Sequence, residues 1–328
     1  NDWWSWEYLN ILREEKPDIV YLIGLETRNV VFKTYLYKKI FNKNLKIGLF
    51  SMRGKDLPLH GKEFKARWKI ASSIFDFINV HYPHGKEIFK EQGEFKGPIQ
   101  LQTQIGVDKD VFYKNDNIKL SIRQMYNIGE NEFVFGSASR IDEIKGVFDI
   151  LKACNKIDKP FKFIMMGDGI QFKETKEMIT SLKLENKVIL PGKIEYGEKV
   201  AEHLNALDCF VHVPHTTKKW VDTFPLAVVQ AMATELPVIG SDSGAVPYQL
   251  GSHGVIIPEK NSNKLAEAMI YAINNQLEMK SKGRKLYERV LNSFEIRHLN
   301  KCLYQSFQAI NENKGDKIIK NQVWAYKD

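Results

Sequence analysis

The sequence has little cysteine, no long apolar run and no low-complexity segment. Its three cysteines, Cys154, Cys209 and Cys302, are odd in number and far apart, and no CxxC pair occurs. This usage argues for a reducing, cytoplasmic setting and against a disulfide framework or a zinc site. The longest apolar run near the start, residues 19–23, is too short to span a bilayer, and no signal-peptide pattern is visible.

Several motifs that signal particular chemistries are also missing. No G-x-S-x-G, HExxH or Walker sequence is present. The pair Gly167 and Gly169 lacks the third glycine of a dinucleotide loop, which weakens an NAD interpretation. The pairs His81/His84 and His212/His215 have the H-x-x-H spacing but no acidic or cysteine partner nearby, so we expect loop and strand-end histidines rather than a metal site.

The length of the chain and its net charge limit the number of domains and the classes of ligand to be considered. A chain of 328 residues, 43% hydrophobic and 27% charged, suits two α/β domains. Its net charge of +8 suits a phosphate-bearing ligand, an anionic membrane surface or nucleic acid, and equally an ordinary lysine-rich surface exposed to solvent. The lysines are scattered and no arginine-rich arm occurs, so we expect no nucleic-acid partner.

The hydrophobic pattern alternates between strands and helices twice along the chain. In the first half, a helix over residues 3–15 is followed by four strands, which are predicted at residues 18–24, 45–51, 75–82 and 98–105. Such alternation is typical of a parallel, doubly wound sheet. Four strands are few for such a domain, so we expect one or two βα units to be missing upstream. The aromatic face of the first helix would pack against them, or alternatively against a membrane surface.

The second alternation starts at Phe133 and ends near residue 274. We therefore predict an N-terminal domain over residues 1–113, a connection over 114–130, a nucleotide-type domain over 131–290, and a C-terminal helix and tail over 291–328. The final helix, near residues 296–310, is expected to return toward the first domain.

Two constellations in the second half could carry chemistry. In the first, Arg140 and Lys145-Gly146 lie between a strand and a helix, which places both cations at the carboxyl end of the sheet, where open α/β sheets bind ligands. Two fixed cations beside a helix N-terminus suit a diphosphate. The alternative is a pair of ordinary surface cations in a βα loop.

The second constellation surrounds Asp222. Thr223 is a plausible N-cap, and Pro225 fits the first turn of the helix that follows. The free amides around Phe224 and Leu226 would then face an anion. Asp222 precedes this helix end, and Gln230 lies about two turns into the helix on the same side. Alone, this pattern also fits a capped amphipathic core helix.

Together, these residues resemble the GT-B glycosyltransferases of the large retaining family 4. Arg140 to Lys145-Gly146 matches the family's R-x4-K-G loop, and Asp222 to Gln230-Ala231-Met232-Ala233 fits its E-x-F-G/P-L-x-x-x-E-A-M-A frame. Further pieces follow in the family's order, at residues 166–169, 188–192, 236–240 and 243–244. The resemblance spans roughly residues 75–275. It implies two Rossmann-like domains with parallel sheets that face each other across a cleft.

The resemblance also implies roles for the matched positions. Arg140 and Lys145 would neutralise the donor diphosphate and its developing charge, and Asp222 would bind hydroxyls of the donor sugar. The donor-binding set implied by the match comprises Gly146, Gly169, Gly192, Lys193, Ile194, Thr223, Phe224, Pro225, Leu226 and Gln230. Within it, Gln230 would bind the nucleotide ribose, and Gly192 to Ile194 would line the base pocket.

The implied reaction moves a hexose-type sugar from a nucleoside diphosphate to a hydroxyl of a glycan, lipid-linked or small-molecule acceptor, with retention and without a metal or other cofactor. Arg53, after the second predicted strand, is the candidate on the acceptor side, although a structural role is equally open. Asp108-Lys109-Asp110 has the D-x-D spacing of the GT-A metal motif, but it follows the segment that leads to the domain connection, so we expect a turn. Peripheral membrane contact through the basic surface is possible.

The sequence departs from the family at both motif glutamates. Asp222 is one methylene shorter, and Gln230 is neutral, although its amide can still accept and donate hydrogen bonds. The family's glycine-rich loop near the chain start is not present. Three alternatives therefore stay open: a non-catalytic or weakly active nucleotide-sugar-binding relative, a sugar-nucleotide epimerase on the same fold, and a basic module that binds nucleic acid.

Overall fold

The chain forms two compact α/β units. The computed structural model describes residues 6–24, 26–54, 57 and 61–312. Among the described residues, the first unit comprises those from Trp6 to Gln104 together with those from Arg297 to Glu312, and the second unit runs from Ile105 to Ile296. No helix among the described residues is long and apolar enough to cross a membrane.

The first unit contains a four-stranded parallel sheet with the order β1-β2-β3-β4. Its elements are α1 (Trp6–Glu15), β1 (Ile19–Ile23), α2 (Asn29–Ile40), β2 (Lys46–Ser51), α3 (Lys62–Ile74), β3 (Phe77–Val80), α4 (Pro83–Glu87), a π-helical turn (Ile88–Gln92) and β4 (Ile99–Leu101). Because each strand pairs with the next one along the chain, a helix must cross between neighbours, and such crossovers are right-handed. Helices α2 and α3 therefore cover the same face of the sheet.

The second unit contains a six-stranded parallel sheet with the order β10-β9-β8-β5-β6-β7. Its elements are α5 (Asp116–Met125), β5 (Phe133–Ala138), α6 (Val147–Cys154), β6 (Phe161–Met166), α7 (Phe172–Ser181), β7 (Val188–Gly192), α8 (Glu198–Asn205), β8 (Cys209–His212), α9 (Leu226–Ala233), β9 (Val238–Ser241), α10 (Val246–Leu250), β10 (Val255–Ile257), α11 (Ser262–Asn274) and α12 (Gln276–Ser293). The chain builds outward from β5 to β7 and then crosses back to place β8 on the other side of β5. The strand order thus reverses between β5 and β8.

Apolar side chains from neighbouring strands form the core of the second unit. Phe135, Phe163, Val211 and Ile239 come from four different strands and are fully buried. Residues of α6 and α11 belong to the same buried cluster. Strands that are apolar along their whole length are expected where helices cover both faces of a parallel sheet.

The last helix, α13 (Ile296–Asn311), packs on the first sheet. Its Ala309 and Ile310 share a buried cluster with Phe77 of β3, and the ring of Phe307 lies 5.2 Å from that of Tyr21. In the predicted aromatic cluster of α1, Tyr8 donates to or accepts from Thr34 of α2 at 2.6 Å. Trp3 and Trp4 of that cluster lie outside the described residues.

The prediction of two α/β units with parallel sheets is confirmed. One local prediction was wrong: Thr223 does not cap a helix that contains Pro225. Helix α9 begins at Leu226, and Pro225 itself is the capping residue, with φ −66° and an extended ψ of 100°. Phe224 is buried, and a residue that precedes proline favours extended backbone, so the helix starts later than predicted.

Candidate functional site

The two constellations meet where the strand order reverses. Ligands of open α/β sheets bind at the carboxyl ends of the strands at such a point. The loop after β5 carries Arg140 and Lys145, and the loop after β8 leads to Asp222. Gly146 joins the two loops closely: its φ is +74°, and a Cβ there would lie 2.1 Å from the carbonyl oxygen of Val213. Only glycine satisfies both conditions.

Asp222 is the centre of a buried polar cluster. Its Oδ2 accepts from Nζ of Lys145 at 2.7 Å and lies 3.1 Å from Nε2 of His212. The side chains of Lys145, Asp222 and His212 are 14%, 9% and 4% exposed. The ammonium group of Lys145 also lies 4.5 Å from the ring centre of Trp220, within cation–π range. Charges removed from water to this degree must be paired to be tolerated.

The cluster perturbs the pKa values of its members. Burial alone would raise the pKa of Asp222, but the hydrogen bond from His212 together with the charge and hydrogen bond of Lys145 lowers it to about 2. Burial lowers the pKa of His212, and the neighbouring carboxylate only partly offsets this. His212 is therefore a neutral imidazole at pH 7, and because a carboxylate only accepts, its Nε2 carries the proton.

Both contacts to Asp222 use the same oxygen. Its Oδ1 has no hydrogen-bond partner among the described residues. The backbone of Asp222 is also held, because its carbonyl oxygen accepts from the amide of Ala245 at 2.9 Å. A carboxylate that is fixed at one oxygen and by its backbone can present the other oxygen to a ligand in a defined direction.

Arg140 is held much more loosely. Its side chain is 64% exposed, and Nη2 lies 3.7 Å from Oδ2 of Asp142. The Asp142 carboxylate also accepts from the amide of Ile144, which supports the turn between the two cations. The structure therefore provides one half-buried cation, Lys145, and one solvent-exposed cation on the same loop.

A second glycine-containing loop, which follows β6, packs against the backbone of the loop that carries Arg140. Gly167 follows β6 with φ +142°, and a Cβ there would lie 1.8 Å from the carbonyl oxygen of Ser139. A Cβ on Gly169 would lie 2.3 Å from the carbonyl oxygen of Ile141. The amide of Ile141 in turn donates to the carbonyl oxygen of Asp168 at 3.0 Å. Gly169, predicted as a donor-binding residue, thus packs against the backbone of the cation loop.

The remaining donor-side residues lie after β7 and on α9. Gly192 has φ +84° with open space around it, Lys193 is exposed and Ile194 is half-buried. Gln230 on α9 is buried, and its Nε2 donates to Oη of Tyr196 at 3.3 Å. This contact joins the segment after β7 to α9.

The start of α9 lies beside Asp222. Thr223 is half-buried, Phe224 and Pro225 are buried, and Leu226 opens the helix. The first amides of an α-helix have no partner within the helix, so Leu226 and Ala227 can donate to an anion.

Arg53 belongs to the first unit, where its guanidinium lies near one carboxylate and one aromatic ring. Its Nε lies 3.5 Å from Oε1 of Glu26, and its guanidinium lies 5.6 Å from the ring centre of Phe64. Oγ of Ser51 donates to the same Glu26 oxygen at 2.7 Å. Sequence reasoning missed Glu26, which follows β1 and supports Arg53 at the carboxyl ends of β1 and β2.

Sequence reasoning also missed His212, Trp220 and Tyr196 as members of the site. The only sequence signal for His212 was its H-x-x-H spacing to His215. In the fold, the two histidines contact different residues. His212 ends β8 and contacts Asp222, whereas Nε2 of His215 lies 2.7 Å from Asp149. Among the described ranges, no group of three or more His, Cys, Asp or Glu side chains could hold a metal ion.

The predicted turn at the D-x-D sequence is present. The amide of Asp110 donates to Oδ1 of Asp108 at 2.9 Å, and the carbonyl oxygen of Asp108 accepts from Val111. The two carboxylates thus lie in an exposed turn in which Asp110 also pairs with Lys109 at 3.1 Å.

Comparisons with known proteins show the family to which this chain belongs. The family described as Glycosyl transferases group 1 matches residues 119–289, just over half of the chain. An uncharacterized glycosyltransferase of Methanocaldococcus jannaschii is 27% identical over 272 residues, which cover 78% of this chain and 62% of that protein. N-acetyl-alpha-D-glucosaminyl L-malate synthase of Bacillus anthracis is 25% identical over 293 residues, which cover 87% and 73%. The chain thus spans less than three quarters of the length of either relative.

Solved structures show the same fold. The crystal structure of Anabaena HepE in complex with UDP superposes with a TM-score of 0.75 at 17% identity, and the match covers 92% of this chain and 81% of that one. This likeness confirms the predicted GT-B fold class.

Proposed function

This chain belongs to the glycosyl transferases group 1 family, and on that premise we propose that it moves a hexose-type sugar from a nucleoside-diphosphate donor to an acceptor hydroxyl with retention at the anomeric carbon. The observation that carries the proposal is the position of Arg140, Lys145 and Asp222 at the point where the strand order reverses. Two cations and one carboxylate at that point suit a ligand with a diphosphate at one end and hydroxyl groups at the other.

The diphosphate would bind between the two cations and the start of α9. Arg140 is exposed and carries five N–H donors that match phosphate oxygens, so it can close on the ligand from solvent. Lys145 is half-buried and already oriented, so it can stabilise charge on the leaving phosphate with little reorganisation. The amides of Leu226 and Ala227 would add donors to the distal phosphate.

The donor sugar would bind at the free oxygen of Asp222. Oδ2 is held by Lys145 and His212, and the pKa of about 2 keeps the carboxylate ionised at neutral pH. Oδ1 can then accept from sugar hydroxyls. The held carboxylate would offset the shorter reach of aspartate, which supports a competent site despite the missing methylene.

The nucleoside would bind further along the same edge of the sheet. Gln230 can accept from a ribose hydroxyl while its Nε2 donates to Tyr196. The segment from Gly192 to Ile194 would line the base pocket, because Gly192 leaves open space there. HepE of Anabaena was solved with UDP, and a uridine nucleotide is therefore the first ligand to test.

In the proposed reaction, the bond between the anomeric carbon and the donor phosphate oxygen breaks, and a bond from the acceptor oxygen to that carbon forms. The acceptor proton passes to the departing phosphate oxygen, so a nucleoside diphosphate leaves and no separate protein base is required. Retention follows from the resemblance of the motif frame to the retaining family. We propose that the two cations take the charge-neutralising role, so transfer should persist in the presence of EDTA.

The test is calorimetric binding of UDP, GDP, ADP and dTDP to this chain, to Arg140→Ala and to Arg284→Ala. Arg284 is the matched control because it is an exposed arginine on α12, next to Gly283, which packs at Glu235 away from the carboxyl ends of the strands. We expect one nucleotide to bind in the micromolar range, Arg140→Ala to weaken it by about tenfold or more, and Arg284→Ala to leave it unchanged.

Four outcomes would count against the proposal. If none of the four nucleotides binds, or if Arg284→Ala weakens binding as much as Arg140→Ala does, the site assigned here is wrong. If a nucleotide binds but its sugar conjugate is neither transferred nor hydrolysed, the chain is a nucleotide-sugar-binding relative without transfer. Epimerised donor in place of transfer would favour the epimerase alternative.

A further inference from the structure

The positive charge of the protein is concentrated in one stretch of the first unit. Residues 28–74 hold 12 of the 48 basic residues and only two of the 40 acidic ones, a net charge of +10. The other 281 residues together carry a net charge of −2. The net charge is therefore largely that of this stretch, although two of its basic residues, Lys38 and Arg53, pair with Asp76 and Glu26, which flank it.

The stretch folds into two neighbouring helices on one face of the first sheet. Helices α2 and α3 connect β1 to β2 and β2 to β3, so right-handed crossovers place both on the same face. Nη2 of Arg67 donates to Oδ1 of Asn29 at 2.7 Å, and its guanidinium lies 5.2 Å from the ring centre of Phe32. These contacts hold the two helices side by side.

The three lysines of α3 and one lysine of α2 lie on the side of their helix that is turned away from the sheet, whereas Lys38 of α2 is half-buried and pairs with Asp76 at 2.9 Å. On α3, Lys62, Lys65 and Lys69 recur at helical spacing and are exposed, whereas Trp68, Ala71 and Ile74 are buried. On α2, Val31, Thr34 and Tyr37 are buried, and Lys39 is exposed. Lys43 extends the exposed row beyond the end of α2.

Large apolar side chains are exposed among these lysines. Leu36 and Ile40 of α2 are 51% and 60% exposed, Phe41 directly after it is 53% exposed, and Ile70 of α3 is 54% exposed. A face that only had to remain in water would not need them, and grouped exposed apolar residues mark interaction sites. An apolar row bordered by lysines is the pattern of helices that lie in the interface of an anionic membrane.

We propose that the outer face of α2 and α3 docks this protein on an anionic lipid bilayer, with Leu36, Ile40 and Ile70 entering the interface and the lysines contacting the headgroups. A soluble polyanion would match the charge but would leave the apolar row in water. A bilayer satisfies both features, because lysine stems can bury their methylenes while the ammonium groups stay with the phosphates. The inference does not depend on the proposed transfer reaction.

The test is flotation of the chain with vesicles of phosphatidylcholine alone or mixed with phosphatidylglycerol. We expect binding only to the mixed vesicles. The triple variant Lys62→Gln, Lys65→Gln, Lys69→Gln should bind them about 100-fold more weakly, because each lysine near an anionic surface contributes a factor of about five.

A matched triple variant controls for net charge. Lys152→Gln, Lys176→Gln and Lys280→Gln remove three exposed lysines of the second unit and should leave vesicle binding unchanged. A double variant, Leu36→Ser with Ile40→Ser, tests the apolar row and should weaken vesicle binding by about tenfold or more. The same double variant should elute normally from a heparin column. Thermal unfolding of each variant verifies that it folds.

The proposal is overturned by any of three results: no binding to the mixed vesicles, equal loss in the two lysine variants, or vesicle binding that the double serine variant does not change. The last result, together with heparin binding that is lost in the α3 lysine variant, would assign the face to a soluble polyanion.

Discussion

The two units place their charged groups at the strand ends in different ways. In the second unit, Lys145 contacts Asp222 at 2.7 Å, and both side chains are less than 15% exposed. In the first unit, the corresponding pair of Arg53 and Glu26 is 3.5 Å apart, with exposures of 23% and 12%. The first pair is thus at hydrogen-bonding distance, whereas the second is longer and its arginine is more exposed.

The two sheets differ in the same sense. The six strands of the second unit reverse their order beside β5, whereas the four described strands of the first follow one another across the sheet. A reversal opens a crevice at the carboxyl ends, because the helices on either side leave in opposite directions. The same βα repeat thus yields a buried polar cluster around Asp222 at the strand ends of one unit and, in the other, an outer helix face that carries exposed lysines.

Substitution of Lys145 should have the largest effect, because it removes the ion pair that distinguishes the strand ends of the second unit from those of the first. Lys145→Met removes the only cation within contact distance of Asp222 among the described residues. We expect donor turnover to fall by about 10²–10³-fold, the usual cost of one transition-state donor. The second unit should also lose about 3 kcal/mol of stability, because Asp222 stays buried without its ion pair. Turnover of the sugar nucleotide and urea unfolding measure the two effects.

Lys280→Met is the control for that variant, since Lys280 is an exposed lysine of the second unit. It should change neither quantity. Unimpaired turnover in Lys145→Met would contradict the assignment of this lysine to the leaving phosphate.

A pair of glycine substitutions should sharpen the contrast in packing. Gly146 and Gly24 both have positive φ, +74° and +65°, and both lie in loops at strand ends. Gly146→Ala should cost about 3 kcal/mol, because left-handed strain adds to a Cβ contact of 2.1 Å with Val213. Gly24→Ala should cost about 1 kcal/mol, because nothing lies within 4 Å of its Cβ. Equal costs in urea unfolding would mean that the two loops are not packed differently.

Acid should destabilise both units through one buried histidine in each. Burial lowers the pKa of His81 to about 4 and also lowers that of His212. Both stay neutral in the folded state while the unfolded chain takes up protons, so stability is complete above pH 6.5 and falls below it. Each histidine removes about 1.4 kcal/mol per pH unit until its folded pKa is reached.

Hydrogen exchange resolved by peptide, at pH 7, 6 and 5, separates the two units. After correction for the intrinsic pH dependence of exchange, peptides of both units should exchange faster at pH 5 than at pH 7. In His81→Gln this increase should disappear from peptides of the first unit and remain in peptides of the second unit. If first-unit peptides of His81→Gln still exchange faster at pH 5 than at pH 7, His81 is not the cause of the acid destabilisation.

The smallest expected effect concerns nucleotide affinity. Gln230→Glu restores the acidic residue of the resembling family and would give the ribose a charged acceptor. We expect nucleotide binding to tighten by about fivefold, equivalent to about 1 kcal/mol. Tyr196→Phe, which removes only the 3.3 Å contact to Gln230, should change it by less than that. Weaker binding in Gln230→Glu would indicate that Gln230 does not face the ribose.

Sequence reasoning succeeded where the pattern is local. The predicted strands at residues 133–136 and 161–166 are present as β5 and β6, because each apolar run is short, buried and bounded by turn residues. The loop from Arg140 to Gly146 was placed correctly after β5, since a strand and a helix frame it. The start of α9 was wrong by two residues, because burial of Phe224 outweighed the capping preference of Thr223.

The amino-acid sequence alone thus determined the two parallel α/β units and the order of the motifs along the chain, since both depend on short-range periodicity and turn chemistry. Only the tertiary structure decided what surrounds Asp222. Lys145 is 77 residues away in sequence, and His212 lies on the next strand end. They meet because the sheet reverses between β5 and β8 and Gly146 allows the loops to touch. Such contacts arise from long-range packing, which no local pattern in a single chain encodes.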